Sequence, residues 1–143
     1  MTIVSSSTLS PQENLDCDVV VVGSGAAGSV VAAELAASGL RVIVLEEGPH
    51  VPQSEYRNYR PSQSLRKLWR NAAMTVAIGM GNSPTINVTM GRCIGGSSVL
   101  TGGVCFRTPE AVLDHWAGTL GLSDLTPDRM APFFDEVEST IKV

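Results

Sequence analysis

The sequence predicts an α/β fold built on one βαβ unit, and three features of residues 18–48 support this prediction. Four consecutive valines, Val19–Val22, form a β-branched run that leads into the glycine-rich residues 23–28, GSGAAG. Small and apolar residues follow in a pattern typical of a helix, and a second β-branched run at 42–45 ends directly before Glu46. This order of strand, glycine turn, helix, strand and acid indicates a unit that binds the ADP half of a dinucleotide.

Each glycine of the first turn has its own physical task. Gly23 can adopt the tight backbone turn that leaves the first strand. Gly25 has no Cβ, so a pyrophosphate can approach the main chain closely, and Gly28 lets the helix pack tightly against the sheet. The first N–H groups of the helix have no intrahelical partner and lie at its positive dipole end, so they suit a phosphate.

Glu46 follows the second predicted strand, 18 residues after Gly28. Its carboxylate can accept hydrogen bonds from ribose hydroxyls, and its charge would repel a 2′-phosphate, which disfavours NADP. Two alternatives stay open: NAD as the dinucleotide, and a buried βαβ unit whose glycines serve only packing. A membrane span over residues 19–45 is excluded because Glu34 and Arg41 would be costly in lipid.

The composition is that of an ordinary soluble α/β protein. Of 143 residues, 43% are hydrophobic and 17% are charged, which suits one domain with a real core. The net charge of −4 gives no support for nucleic-acid binding. Residues 1–15 have neither a basic start nor a long apolar core, so we expect a flexible N-terminal arm instead of a secretory signal, and a cytoplasmic protein.

The cysteines and histidines indicate neither a metal centre nor a catalytic cluster. Cys17, Cys93 and Cys105 are odd in number and form no CxxC pair, so neither a disulfide framework nor a zinc site is expected. His50 and His115 lie far apart in the sequence, and no acid–histidine cluster stands out. We therefore assign no metal ligand and no catalytic residue.

A turn at residues 48–52 separates the βαβ pattern from a basic segment. Residues 53–71 carry half of all the basic residues in the chain and predict a solvated surface, with a phosphate or partner contact as the alternative. A short helix is expected over Ser62–Asn71. Its predicted buried side consists of Leu65, Leu68 and Trp69.

A second glycine-rich stretch, GRCIGGSSVLTGGVCFR, covers Gly91–Arg107. Gly95 and Gly96 permit close backbone approach to a flat or charged ligand. Ser97 and Ser98 can cap the following turn and donate to phosphate or ring atoms. A plain flexible loop is the alternative interpretation.

Two further helices are predicted after this stretch. In the first, Thr108 is the expected N-cap, Pro109 the first helical residue, and Glu110 complements the helix dipole. Thr126-Pro127-Asp128 repeats the same start signal. The apolar residues that follow at helical spacing predict a core-facing stripe: Met130, Phe133, Phe134, Val137 and Ile141.

Both glycine-rich blocks, in this order, resemble those of the glucose–methanol–choline (GMC) oxidoreductases, from Asp18 to the last helix. The residues that carry the resemblance are Gly23-x-Gly25-x-x-Gly28, Leu45-Glu46-x-Gly48-Pro49, Gly91-Arg92-x-x-Gly95-Gly96-Ser97-Ser98, Arg107, Trp116 and Phe133-Phe134-x-x-Val137-Glu138. The segment Cys105-Phe106-Arg107-Thr108-Pro109 is most similar to the branch that acts on long-chain or bulky alcohols.

The resemblance implies a Rossmann-like βαβ FAD-binding domain that is incomplete: residues 16–143 form its N-terminal part, and the substrate domain is absent. It further implies a noncovalent or covalent FAD that accepts a hydride from the CH–OH carbon of a small-molecule alcohol. The implied cofactor-binding residues are Gly23, Ser24, Gly25, Ala26, Ala27, Gly28, Glu46, Gly91, Arg92, Gly95, Gly96, Ser97, Ser98 and Thr101.

Two positions depart from the family pattern. Thr101 stands where the family usually has asparagine, and a hydroxyl lacks the paired donor and acceptor of an amide. Leu100 stands where some members attach FAD through histidine, which rules out that covalent link.

The catalytic histidine of the family lies near the C-terminus of a much longer chain, and neither His50 nor His115 matches it. We therefore expect the isolated chain to be inactive and a complementing C-terminal polypeptide to be a possible partner. An NAD-binding dehydrogenase fragment and a non-catalytic nucleotide-binding remnant are the alternatives.

Overall fold

The predicted βαβ unit is present in the computed structural model, which describes residues 2–10 and 13–143. Strand β1 (Val19–Val22), helix α1 (Ala26–Ala37) and strand β2 (Val42–Leu45) follow one another. The two strands pair in parallel, with Val19 opposite Val42 and Val22 opposite Leu45. Helix α1 ends because Gly39 takes a φ of +92°, a left-handed conformation that terminates helices and favours glycine.

This unit belongs to the first of two compact units, Met1–Gly102 and Gly103–Val143. The first unit continues with α2 (Gln53–Tyr56), α3 (Pro61–Leu68), and an antiparallel pair of short strands, β3 (Val76–Ala77) and β4 (Ile86–Asn87). Its 3₁₀ turns lie at Ser6–Thr8, Arg70–Ala73 and Gly96–Val99. The second unit contains α4 (Glu110–Gly118) and α5 (Pro127–Ile141).

Helix α3 confirms the helix expected at 62–71 but ends earlier, at Leu68. Trp69 is extended and forms a bridge with Gly91, while the Arg92 N–H donates to the Leu68 carbonyl at 2.7 Å. Leu68 is buried as expected, but the prediction for Leu65 is wrong because it remains 39% exposed. The backbone of Gly91 and Arg92 pairs with Trp69 and Leu68, one turn beyond Leu65. The Leu65 side chain is therefore left uncovered.

Helix α4 begins one residue later than the sequence suggested. Pro109 has a ψ of 140° and is the N-cap, so the assignment of Thr108 as N-cap is wrong. The extended Pro109 offers its carbonyl to the N–H groups of Val112 and Leu113, and helical bonding therefore starts at Glu110. Helix α5 does begin at Pro127 with Thr126 at the cap position, as predicted.

The predicted core-facing stripe of α5 is not buried within the second unit. Phe133 is 60% exposed, and Val137 and Ile141 are also exposed. Within residues 103–143, α4 is the one other helix and packs against α5, and it covers only part of the apolar face of α5. Phe134 is partly covered by the guanidinium of Arg107, which lies 5.9 Å from the ring centre.

The βαβ unit likewise leaves apolar surface exposed. Val22 is 83% exposed and Leu45 54%, although parallel sheets are normally covered on both faces. Helix α1 is apolar apart from Ser29 and Glu34, yet Val30 and Val31 are exposed. Within residues 2–10 and 13–143, no helix has the length and apolar character needed to cross a bilayer.

Candidate dinucleotide-binding site

The turn between β1 and α1 uses its three glycines in different ways. Gly23 has a φ of +91° and donates its N–H to the Leu45 carbonyl at 2.7 Å. A Cβ on Gly28 would lie well inside contact distance of the Gly23 carbonyl oxygen and 3.4 Å from Val21 Cγ1. A Cβ on Gly25 would meet none of the described atoms within 4 Å. The backbone at Gly28 therefore leaves no room for a side chain, whereas the backbone at Gly25 borders free space.

The start of α1 presents main-chain amides that the helix cannot satisfy. Gly25 is the N-cap and has no side chain to cap them, so the N–H groups of Ala26, Ala27 and Gly28 lack intrahelical acceptors. The first regular bond runs from the Ser29 N–H to the Gly25 carbonyl at 2.9 Å. Ala26 and Ala27 are exposed. Open amides at the positive end of a 12-residue helix suit a phosphate.

Glu46 lies directly beside this turn. Its Oε2 accepts the N–H of Ser24 at 2.9 Å and the hydroxyl of Ser24 at 2.7 Å. Its Oε1 accepts the N–H of Gly48 at 2.9 Å. A carboxylate accepts about four hydrogen bonds, so Oε1 keeps room for one ribose hydroxyl.

The same bonds set the protonation state of Glu46. Burial raises the pKa of its carboxyl, but the hydrogen bonds from Ser24 and Gly48 and the charge of Arg70 together bring that pKa below the ordinary value of 4.5. Hydrogen bonds to a charged carboxylate favour the charged form. Glu46 is therefore an anion at neutral pH.

The second glycine-rich segment lies against the first turn. The Gly95 N–H donates to the Ser24 hydroxyl oxygen at 3.0 Å, across 71 residues of sequence. A Cβ on Gly96 would lie 3.0 Å from Gly25 Cα. A Cβ on Gly48 would overlap the backbone of Arg92 and Cys93. The structure thus brings both blocks together in the first unit.

The second segment is itself tightly folded. Gly95 and Gly96 have φ values of +92° and +62°, and a Cβ on Gly91 would lie 2.7 Å from the Gly96 carbonyl group. The expected capping role of Ser97 and Ser98 is wrong, because both lie inside the 3₁₀ turn and Gly95 occupies its cap. The left-handed glycines start this turn without a side-chain cap.

The polar side chains of this segment differ in whether the described chain gives them a hydrogen-bond or ion-pair partner. Ser97 Oγ accepts the Gly91 N–H at 2.9 Å, and Thr101 Oγ1 donates to the Ser98 carbonyl at 3.2 Å. Arg92 is exposed and forms no salt bridge with the described residues. Arg92 therefore offers a positive charge that the described chain does not neutralise.

Sequence reasoning missed two residues of this region. Gly48 was assigned to a turn and to the family motif but given no role in the site, yet its N–H binds Glu46 and its missing Cβ makes room for the second segment. Cys93 was considered only for a disulfide or a zinc site, neither of which was expected, yet it is buried, and burial with the nearby Glu46 charge raises the pKa of its thiol. In the part of the chain that the structure describes, no group of three or more His, Cys, Asp or Glu side chains could hold a metal.

The comparison with protein families matches this arrangement. The family model described as GMC oxidoreductase matches residues 17–143. The chain belongs to the GMC oxidoreductase family. The resemblance inferred from the two glycine-rich blocks is therefore confirmed.

Individual GMC relatives are similar over most of this chain. An uncharacterized GMC-type oxidoreductase of Mycobacterium tuberculosis is 42% identical over 126 residues, which are 88% of this chain and 20% of the relative. A long-chain-alcohol oxidase of Arabidopsis thaliana is 39% identical over 103 residues, which are 72% of this chain and 13% of the relative. The chain thus spans about a fifth, or less, of these relatives.

A solved structure confirms the fold class. Formate oxidase of Aspergillus oryzae, in a structure that addresses FAD modification, matches with a TM-score of 0.62 and 26% identity. The match covers 82% of this chain and 21% of that one. The α/β, Rossmann-like prediction is confirmed for the part of the FAD-binding domain that this chain covers.

Proposed function

We propose that this chain binds FAD where its two glycine-rich segments meet, as part of a flavoprotein that oxidises the CH–OH group of an alcohol. The observation that carries the proposal is the position of Gly25. Gly96 approaches one side of this residue so closely that a Cβ on Gly96 would lie 3.0 Å from Gly25 Cα, whereas a Cβ on Gly25 itself would meet no described atom within 4 Å. A cofactor phosphate can therefore reach the main chain there.

The residues around Gly25 fit the ADP half of FAD. The free N–H groups of Ala26, Ala27 and Gly28 suit the pyrophosphate, and Arg92 supplies a positive charge that is not paired within the described chain. The remaining acceptor position of Glu46 Oε1 suits one ribose hydroxyl. The turn at Gly95–Ser98 would face the part of the cofactor beyond the pyrophosphate.

These contacts indicate which part of the reaction belongs to the cofactor and which to the chain. When bound, FAD supplies a flavin that takes up a hydride from the alcohol carbon. The chain itself holds and orients that cofactor. Leu100 offers no nucleophilic atom, so attachment is noncovalent at this position. Neither histidine of this chain matches the family's catalytic histidine, and we therefore propose that the chain alone does not turn over alcohols.

The substrate class and the partner are proposed on two further grounds. The 39% identity to a long-chain-alcohol oxidase favours a long-chain or bulky alcohol. The exposed Val22 and Leu45 belong to a parallel sheet of the kind that is normally covered. We propose that polypeptide corresponding to the remaining length of the relatives covers these strands and provides the base for the hydroxyl proton.

A titration of the chain with FAD, followed by quenching of flavin fluorescence, tests the binding proposal. The Gly25→Ala variant should bind FAD about a hundredfold more weakly, because its methyl group enters the space that the pyrophosphate needs. The matched control is Gly102→Ala, since a Cβ there also meets no described atom. Its affinity for FAD should equal that of the unmodified chain.

Three outcomes of these measurements contradict the proposal. One is an unmodified chain that does not bind FAD, or that binds NAD in its place. Another is equal affinity for FAD in the Gly25→Ala and Gly102→Ala variants. The third concerns the inactivity of the chain: reduction of an artificial electron acceptor by an alcohol, with the chain and FAD alone, would refute it.

A further inference from the structure

Ser24 is a polar residue that the fold nearly encloses, with 8% of its surface exposed. Its hydroxyl donates to Glu46 Oε2 at 2.7 Å and accepts the Gly95 N–H at 3.0 Å. A serine hydroxyl has one proton to donate. Because Glu46 already receives that proton, Ser24 has none left for a cofactor phosphate.

The geometry fixes the direction of this hydroxyl. Both the N–H and the O–H of Ser24 bind the same oxygen of Glu46, so the charged carboxylate holds the side chain at two points. The free lone pair of the hydroxyl then meets the Gly95 N–H. In the described chain, this is the side-chain hydrogen bond that joins the first glycine turn to the second glycine-rich segment.

We infer that Ser24 is a positioning residue: oriented by Glu46, its hydroxyl holds the Gly95–Gly96 turn at a fixed distance from the Gly23–Gly28 turn. The close approach of Gly96 to Gly25, the next residue after Ser24, depends on that distance: a Cβ on Gly96 would lie 3.0 Å from Gly25 Cα. The bonds from Ser24 to Glu46 have a charged acceptor and are therefore stronger than neutral ones. The spacing of the two segments is therefore built into the protein before any ligand binds.

The consequence for FAD rests on the proposed function. If the two segments hold adjacent parts of one cofactor, their spacing sets how well both can engage it, and pre-organisation raises affinity. Ser24 then affects FAD affinity without offering a donor to FAD. The positional role itself does not require a cofactor and can be measured on the chain without FAD.

Amide hydrogen exchange of Gly95, measured without FAD, tests this inference. In the Ser24→Ala variant the Gly95 N–H loses its acceptor, and its exchange should become about tenfold faster. Ser24→Thr keeps a hydroxyl and should retain most of the protection. Ser38→Ala is the matched control, because the Ser38 hydroxyl donates to the Leu35 carbonyl at 2.7 Å at the far end of α1. Its Gly95 exchange should not change.

The Asp18 N–H, which donates to the Arg41 carbonyl at 2.9 Å, distinguishes local release from general unfolding. Faster exchange at Gly95 with unchanged exchange at Asp18 supports the inference. Equal acceleration at both amides, or no change at Gly95, overturns it.

Alkylation of Cys93, mapped by mass spectrometry, gives a second readout. Cys93 is buried and its thiol contacts the Gly96 carbonyl at 3.7 Å. Release of the turn in Ser24→Ala should therefore speed its alkylation, while Ser38→Ala should not.

FAD titration separates this inference from the proposed function. We expect Ser24→Ala to bind FAD more weakly than Ser24→Thr and Ser38→Ala. If the unmodified chain does not bind FAD, the proposed function fails, while the exchange experiment still decides the role of Ser24. If all variants bind FAD equally, the spacing does not control affinity and the inferred consequence is wrong.

Discussion

The two glycine-rich segments look alike in the sequence, but the fold uses their glycines differently. In the first segment, a Cβ on Gly25 would enter open space, whereas one on Gly28 would overlap the backbone. In the second segment, a Cβ on Gly91, Gly95 or Gly96 would in each case lie 3.0 Å or less from a protein atom. The backbone at Gly91, Gly95 and Gly96 is thus tightly packed beside the open space at Gly25.

The difference follows from what each segment connects. The first leads from a strand into a helix, and the start of a helix leaves outward-facing amides. The second reverses direction within a 3₁₀ turn at Gly96–Val99, for which Gly95 and Gly96 take left-handed φ values. A high glycine content therefore does not by itself identify the residues that a ligand touches. It also marks where one stretch of backbone must approach another.

The largest effect that this comparison predicts is at Gly28. Gly28→Ala should destabilise the chain by about 3 kcal/mol or more, because the new methyl group overlaps the Gly23 carbonyl at the base of the first turn. Urea unfolding followed by circular dichroism measures this change. Gly118→Ala in α4 is the matched helical control, since its Cβ meets no described atom.

In the control, alanine should leave stability unchanged or raise it by up to about 1 kcal/mol, as expected for a helix residue without steric conflict. Similar stabilities for the two variants would contradict the assignment of Gly28 as a packing glycine. Gly28 and Gly25 would then not differ in the space they leave for a side chain.

An intermediate effect is expected at Gly96, where two costs combine. Alanine would have to adopt a φ of +62°, which costs about 1 kcal/mol, and its methyl group would press against Gly25 Cα at 3.0 Å. We expect a loss of about 2 kcal/mol in the free energy of unfolding. Gly81→Ala isolates the first cost, because Gly81 has a φ of +66° and an unobstructed Cβ direction.

The difference between the two variants then measures the contact between the segments. A Gly96→Ala variant no less stable than Gly81→Ala would mean that the segments are not held together in solution. The inference that the backbone at Gly96 packs beside Gly25 would then also be wrong.

The parts of this region that the sequence predicted correctly are those fixed by local pattern. The valine runs, Gly23 at a positive φ and Gly28 against β1 all follow from the residues next to them. The residues of the second segment were identified, and the contact of their glycines with a ligand stays a prediction, but the close packing of Gly91 and Gly96 was not foreseen. That outcome depends on a contact across 71 residues, which no local pattern encodes.

Burial was the least predictable property, and for the same reason. Leu65 and Phe133 lie at helical spacing typical of buried positions, yet both are exposed, because burial depends on which other element packs over a helix face. The start of α4 was misplaced by one residue because Thr108-Pro109 is compatible with two cap positions, and only ψ at Pro109 decides between them.

The smallest predicted effect concerns the charge of Glu46, which links the two segments through Ser24. The pKa of Glu46 is lower in the folded chain than its ordinary value of 4.5. The folded state therefore binds this proton more weakly than the unfolded state. The contribution of the ionised Glu46 to the free energy of unfolding is complete above about pH 4.5, and it is lost as the pH falls through the pKa of the folded state. At neutral pH, Glu46→Gln should lower the free energy of unfolding by about 1 kcal/mol. The reason is that the neutral side chain weakens the hydrogen bonds that Glu46 accepts from Ser24 and Gly48.

Unfolding free energies of the unmodified chain and of Glu46→Gln, measured from pH 7 to pH 3, test this prediction. The gap between them should be constant above about pH 4.5 and should narrow below it, because protonation makes Glu46 resemble the amide. Other carboxyl groups whose pKa is lowered, such as those of Asp18 and Glu138, are present in both proteins and cancel in the difference. A gap that stays the same down to pH 3 would show that the ionised carboxylate does not contribute to holding the turn, and Ser24 would have to be oriented by its own backbone alone.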